Sequence, residues 1–320
     1  IGIKAYRFSV CWTRILPDGT GKVNEKGVKV YSDLIDELLK NGIEPYVTVF
    51  HWDYPYELYK KGGWMNDESV KWFADYAALV TELFSDRVKY FITFNEPQCF
   101  IGKGFYTGED APGLKCTPRD TFLMCHNVLK AHGAAVLAMR KAAKKPIKIG
   151  YAPTAKMVFP ASDKPADVEA ARKKLFSCAE LDEWIWNLSW WSDPIILGSY
   201  PEDGLKKYAP YLPEITAADM EQPIDFYCQN IYQGEAVAAD ENGEAYYVPQ
   251  KPGFARTAMN WSVTPECMYW VPKFLCERYK LPFYISENGT ASNDIVSADG
   301  CVHDANRIEF LRSYIEKLAE

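Results

Sequence analysis

VKYFITFNEP, residues 88–97, decides how the chain is read. Seven residues rich in β-branched and aromatic side chains describe a strand buried on both faces, yet the run stops on an amide, a carboxylate and a proline in succession. A buried strand has no use for a charge, so Glu96 either sits at an exposed strand end or is held there for a purpose. The pattern returns in FYISENG, residues 283–289, where Glu287 follows four strand-type residues.

Four more runs of this kind occur: AYRFSV (5–10), EPYVTVF (44–50), IKIGYA (147–152) and DFYCQNI (225–231). Each of the six is expected to be buried on both faces. Between them VKVYSDLIDELLKNG, with Gly42 as its C′ residue, DESVKWFADYAALVTELF and the alanine-rich stretch 119–143 read as helices. This alternation predicts an α/β protein with parallel strands and right-handed crossovers, either a doubly wound sheet or a TIM-type (β/α)8 barrel.

Dinucleotide folds carry G-x-G-x-x-G after their first strand, whereas GKGFYTG at 102–108 has another spacing and follows a proline. Polar residues instead gather near strand C-termini: Arg7, His51 with Asp53, Asn95 with Glu96, Asn230 with Tyr232, and Glu287 with Asn288. In a barrel such ends converge on one mouth. Six strands are visible where a barrel has eight, so the expectation is a single domain over residues 1–320 that holds an incomplete barrel. Residues 153–224, with the tryptophan-rich EWIWNLSWWSDP, read as a helix-loop elaboration, and 234–262 as a surface excursion. Trp186, Trp190 and Trp191 have the spacing of core residues, and His126 and His132 read as structural.

The formal charge of -7, without a dense basic cluster, gives nucleic acid no electrostatic footing. Nine scattered cysteines without a CxxC pair indicate neither a disulfide framework nor a zinc site, and fit a reducing, cytoplasmic setting. No apolar run approaches the roughly 20 residues of a membrane span, so no membrane partner is expected. No HExxH or carboxylate cluster calls for a metal, and no cofactor is expected.

Glu96 and Glu287 end two strands in equivalent fashion, and paired carboxyl groups about 5–5.5 Å apart are the apparatus of retaining glycoside hydrolysis. A nucleophile must stay ionised, which Arg7 and Tyr232 would favour at Glu287. An acid must stay protonated, and Glu96, beside the neutral amide of Asn95 and near a second carboxylate, has the better reason for a raised pKa. Asn95 suits a sugar 2-hydroxyl, and Trp52 suits the apolar face of a pyranose.

These residues sit in longer motifs: YRFSVCWTRI (6–15), HWDYP (51–55), GGWMN (62–66), TFNEP (93–97), DPIILGSYP (193–201), DFYCQNIY (225–232), YISENG (284–289) and DGCVHDANRIEFL (299–311). In that order they resemble glycoside hydrolase family 1, the retaining β-glucosidases. The resemblance implies a (β/α)8 barrel, Glu96 as acid/base and Glu287 as nucleophile. It also implies Arg7 and Tyr232 against the nucleophile, a glycone subsite lined by His51, Trp52 and Asn95, and Asn230 close by. The implied partner is a small β-glucoside or oligosaccharide, with β-galactosides and β-fucosides as further glycones.

By the same resemblance the visible strands are the family's second to seventh. The first and eighth are then expected from a longer chain or another chain, and the piece alone is expected to be unstable or inactive. HWDYP points to unphosphorylated sugars. A 6-phospho-β-glucosidase and a non-catalytic sugar-binding barrel are the alternatives.

Overall fold

Among residues 2–217 and 220–320, which the computed structural model describes, strands form at β1 (Ala5–Ser9), β2 (Glu44–Phe50), β3 (Tyr90–Asn95) and β4 (Lys148–Ala152). They continue with β5 (Val158–Pro160), β6 (Phe226–Asn230), β7 (Glu235–Ala239), β8 (Ala245–Tyr247) and β9 (Phe283–Glu287). Ile1, which heads the opening apolar run, and Ala218 and Asp219 lie outside the described residues. All six expected strands are present. The expected helices form at Glu25–Lys40, Glu68–Phe84 and Pro118–Ala142, and Gly42 takes a φ of 68° just past the first, as a C′ glycine does.

The chain divides into two compact units, Ile1–Thr154 with Cys178–Cys228, and Ala155–Ser177 with Gln229–Glu320. In the first, β1, β2, β3, β4 and β6 lie side by side in that order, every pair parallel. The register sets Arg7 against Tyr46 and Phe50 against Phe94. Helix Glu68–Phe84 supplies the core: Phe73 stacks on Phe94 at 4.1 Å, and Tyr76 stacks on the fully buried Trp12 at 4.6 Å. The Tyr76 hydroxyl reaches Val10 O at 3.0 Å and Val49 O at 3.1 Å, so one buried phenol ties the ends of β1 and β2 together. Between β4 and β6, Gly150 is paired with Phe226, and a Cβ on it would stand 2.2 Å from the Phe226 ring.

In the second unit β5 pairs with β7 in parallel and β7 with β8 antiparallel. Asp167, on helix Pro165–Phe176, accepts from Ala239 N at 2.9 Å and so ties that helix to the end of β7. These three strands add a sheet to 153–224, read as a helix-loop elaboration, and to 234–262, read as a surface excursion. They escaped that reading because β5 and β8 are three residues long, and β5 ends on a proline. Helices Cys267–Tyr279 and Ala305–Ala319 close this unit's list of long elements.

Two other expectations need correction. β1 and β9 are not buried on both faces, since their residues are half-buried or exposed; among the described residues each has a strand on one flank only. Helix Pro118–Ala142 is, by length and composition, apolar enough to cross a membrane, although 72 % of its apolar window is buried inside the protein. Trp190 and Trp191 are core as expected, joined by Trp184, whereas Trp186 is only half-buried.

His126 and His132 both lie buried on helix Pro118–Ala142, with Nδ1 at 3.1 Å from the Tyr200 hydroxyl and 2.8 Å from Thr93 Oγ1 respectively. Burial pulls His132 down to about 3; burial, helped by the Lys130 charge, pulls His126 down to about 4. Both are neutral in the folded chain, whereas the unfolded chain takes up their protons near pH 6.5. Their contribution to stability is whole above pH 6.5 and declines as pH falls toward 4. His132→Gln should therefore lower the slope of unfolding free energy against pH in that window by about 1.4 kcal/mol per pH unit, measured by urea titration. The same titration at pH 7 should find Gly150→Ala less stable by about 1–3 kcal/mol, because the Phe226 ring has no room to retreat from the added methyl.

Candidate active site

In the first unit, three strand ends meet around Asn95, which is fully buried. Arg7, from β1, donates from Nε to Thr48 Oγ1 on β2 at 2.9 Å and from Nη2 to Asn95 Oδ1 at 2.6 Å. The Asn95 Nδ2 lies 3.1 Å from His51 Nε2, and the Trp52 indole donates to Asn95 O at 3.0 Å. Arg7, His51, Trp52 and Asn95 are thus brought together.

The donor inventory assigns the protons. A guanidinium only donates, so the amide oxygen of Asn95 must face Arg7, and its NH2 must face His51. His51 Nε2 is then an acceptor, and the ring carries its proton on Nδ1.

Glu96 follows directly and is 8 % exposed. Its backbone takes a φ of 42°, in the left-handed region, and its N–H donates to Ala152 O at 2.8 Å, past the end of β4. The turn is needed because β3 gives way at once to a wide π-type helix, Gln98–Thr107, with Pro97 ahead of it. Cys99, one turn on, donates its thiol to Glu96 Oε2 at 3.3 Å. Burial, and after it the Glu96 charge, pushes the Cys99 thiol up, so it stays a donor. Trp52 has a φ of 81°, so two adjacent strand ends carry non-glycine residues in left-handed geometry, a form of strain that clusters at functional sites.

Asp53 accepts from the backbone N–H of Trp12, and burial raises its pKa against that hydrogen bond and one from Cys11. It braces the loop after β2.

In the second unit, the Tyr232 hydroxyl donates to Glu287 Oε2. Ile231 N meets Glu287 O at 3.0 Å, and Asn288 Nδ2 meets Ile231 O at 2.9 Å, so the backbone around the carboxylate is held from both sides. Ser286 Oγ donates to the buried Asn230 Oδ1 at 2.5 Å. Asn230, Tyr232 and Glu287 are thereby brought together.

Sequence reasoning passed over four supporting residues. Thr48 holds Arg7, but a threonine in PYVTVF looks like any β-former. Cys99 looks like core. Trp261 packs on Tyr232 at 5.4 Å between centroids, from a segment whose spacing carries no periodic signal. Tyr314 donates to Tyr232 O at 3.0 Å and accepts from Thr264 N at 2.9 Å, yet in sequence it is one aromatic on the apolar stripe of helix Ala305–Ala319. Among the described residues no cluster of His, Cys, Asp and Glu could hold a metal ion.

Residues 1–320 match the family described as glycosyl hydrolase family 1. The chain is 42 % identical to beta-glucosidase A of Thermotoga maritima, covering 98 % of this chain and 69 % of that protein. It is 32 % identical to a beta-glucosidase of an Agrobacterium species, covering 100 % of this chain and 69 % of that one. The solved structure of a Thermotoga maritima beta-glucosidase in complex with glucoimidazole superposes with a TM-score of 0.85 at 42 % identity, covering 99 % of this chain and 70 % of that one.

The hydrogen-bond assignment at Asn95 leads to a direct measurement. In 15N-resolved NMR spectra of the unliganded protein at neutral pH, His51 should show a protonated Nδ1 and a bare Nε2. A protonated Nε2 would show that the amide stands the other way round.

Proposed function

The chain belongs to glycosyl hydrolase family 1, with the family's (β/α)8-barrel fold class, and from that membership we propose that it is a retaining β-glucosidase. It hydrolyses terminal β-D-glucosyl residues, and needs no cofactor. The observation that carries the reading is the 42 % identity over 98 % of the chain to a beta-glucosidase, together with both carboxylates in their NEP and ENG settings.

Glu287 acts as the nucleophile. Its carboxylate attacks the anomeric carbon and forms an ester as the C1–O bond to the aglycone breaks. Glu96 gives its proton to the departing oxygen; in the second step it takes a proton from water, whose oxygen attacks C1 and frees Glu287. The hydrogen bond from Tyr232 holds the Glu287 carboxylate in place, and Glu96 is almost wholly buried beside its strand end. Asn95, with its amide already committed to Arg7 and His51, presents a fixed dipole to a sugar hydroxyl. Trp52 and His51 line the glycone, with Asn230 near the nucleophile. A cytoplasmic location belongs to the same proposal, supported by the odd, scattered cysteines.

Glu287→Ala should lower kcat on an aryl β-glucoside by about 10³-fold or more, and a 2-deoxy-2-fluoro β-glucoside should label Glu287 in a peptide map. Full activity in that variant sinks the assignment. Glu96→Ala should slow an alkyl β-glucoside far more than a dinitrophenyl one, since a good leaving group needs no proton. Equal slowing of both would remove Glu96 from the acid role.

A further inference from the structure

The second unit holds a cleft of about 670 Å3, and none of Asn230, Tyr232 and Glu287 lines it. Much of its wall comes from residues 247–262, within the long polar segment read from the sequence as a surface excursion. Met157, Val248 and Pro249 contribute apolar surface to the cleft. Gln233, Gln250, Arg256 and Ser262 contribute polar groups.

Those four residues form a relay whose direction is set by one member. A guanidinium only donates, so Arg256 Nη2, at 2.7 Å, makes the Gln250 side-chain oxygen an acceptor. The Gln250 NH2 then donates to Ser262 Oγ at 2.7 Å, and the Ser262 hydroxyl, having accepted, keeps its own hydrogen to give. Ser262 N donates to Gln233 Oε1 at 2.8 Å, which leaves the Gln233 NH2 over as well. Arg256 commits one further N–H, from Nη1 to Asn260 O at 2.8 Å. Every acceptor atom in the relay is thus engaged, while N–H and O–H groups on Arg256, Ser262 and Gln233 remain uncommitted.

Charge points the same way. The charged side chains lining the cleft are Lys156, Glu235 and Arg256. Lys156 and Glu235 stand 3.5 Å apart, whereas among the described residues no carboxylate lies within ion-pair distance of Arg256. The guanidinium is held against a tight turn in which Asn260 N donates to Thr257 O and Asn260 adopts a φ of 61°. The entropy of fixing this long side chain is therefore met before a ligand arrives. A neutral polyol would leave the guanidinium unmatched, whereas an oxyanion accepts from every uncommitted group and balances the charge.

We propose that this cleft binds a small organic carboxylate, its oxygens on Arg256 and the Ser262 hydroxyl and its hydrocarbon part against Met157, Val248 and Pro249. The proposal is independent of the glycosidase reading. The carboxylate arrives either on a free acid or on the leaving group of a glucoside, since Trp261, which packs on Tyr232, stands between Asn260 and Ser262 in the chain.

Isothermal calorimetry with benzoate and with benzamide, its neutral counterpart, on the protein and two variants whose folding is checked by circular dichroism, tests it. Benzoate should bind saturably with one site per chain, about tenfold more tightly than benzamide, and more weakly as sodium chloride is raised. Arg256→Gln should weaken benzoate about tenfold and leave benzamide within about twofold. Ser262→Ala, which removes an uncommitted hydroxyl, should weaken benzoate roughly three- to tenfold. The two sources are separated by kcat/KM for the β-glucosides of 4-hydroxybenzoate and 4-hydroxybenzamide. A loss of about tenfold in Arg256→Gln confined to the acidic glucoside assigns the carboxylate to the leaving group; unchanged turnover of both, with benzoate binding weakened, assigns it to a free acid. The calorimetry decides the proposal even where no glucoside is turned over. Absence of saturable benzoate binding, equal affinity for benzoate and benzamide, or benzoate binding unchanged in either variant would each overturn it.

Discussion

The buried amide of Asn95 is the joint on which the first unit's functional residues depend. Its oxygen is committed to a guanidinium from β1, its nitrogen to an imidazole from the end of β2, and its backbone carbonyl to an indole beside that imidazole. Each contact could be made by another residue type in isolation. Together they admit only a group that accepts on one side, donates on the other and is short enough to stay within a strand end. A carboxylate there would face Arg7 well but offer His51 no donor. A hydrophobe would make neither contact.

This arrangement rests on a local conflict that the packing resolves. Trp52 and Glu96 both stand in left-handed backbone geometry, which costs of order 1–3 kcal/mol for a side-chain-bearing residue. The conformation persists because neighbours over-determine it: Trp52 through its indole bond, Glu96 through Ala152 O and the Cys99 thiol. Below them the Phe50, Phe73, Phe94 and Trp12 cluster gives the strand ends a floor that does not yield.

The sequence revealed the parts of this design that have their own composition. Six strands announce themselves through β-branched and aromatic runs, and Glu96 and Glu287 announce themselves by breaking such runs. What stayed hidden depends on neighbours that a linear reading does not contain. Tyr284 is exposed on β9 and Tyr6 on β1, although their runs read like those of β2 and β3, because exposure is decided by who lies alongside. Val158–Pro160 is a strand only because Glu235–Ala239 offers it an edge. The geometry around Glu287 follows the same rule, since Thr264 and Tyr314 contribute through single hydroxyl and amide contacts that no periodicity foretells.

Tyr314 carries a further consequence for how the molecule is made. Its ring stacks on Phe310 at 3.9 Å, and its hydroxyl bridges Thr264 N to the carbonyl of Tyr232, the residue whose phenol holds Glu287. During synthesis both the phenol and the carboxylate leave the ribosome before this bridging ring does. The nascent chain therefore carries Tyr232 and Glu287 for some time before the helix that clasps the Tyr232 backbone has been made.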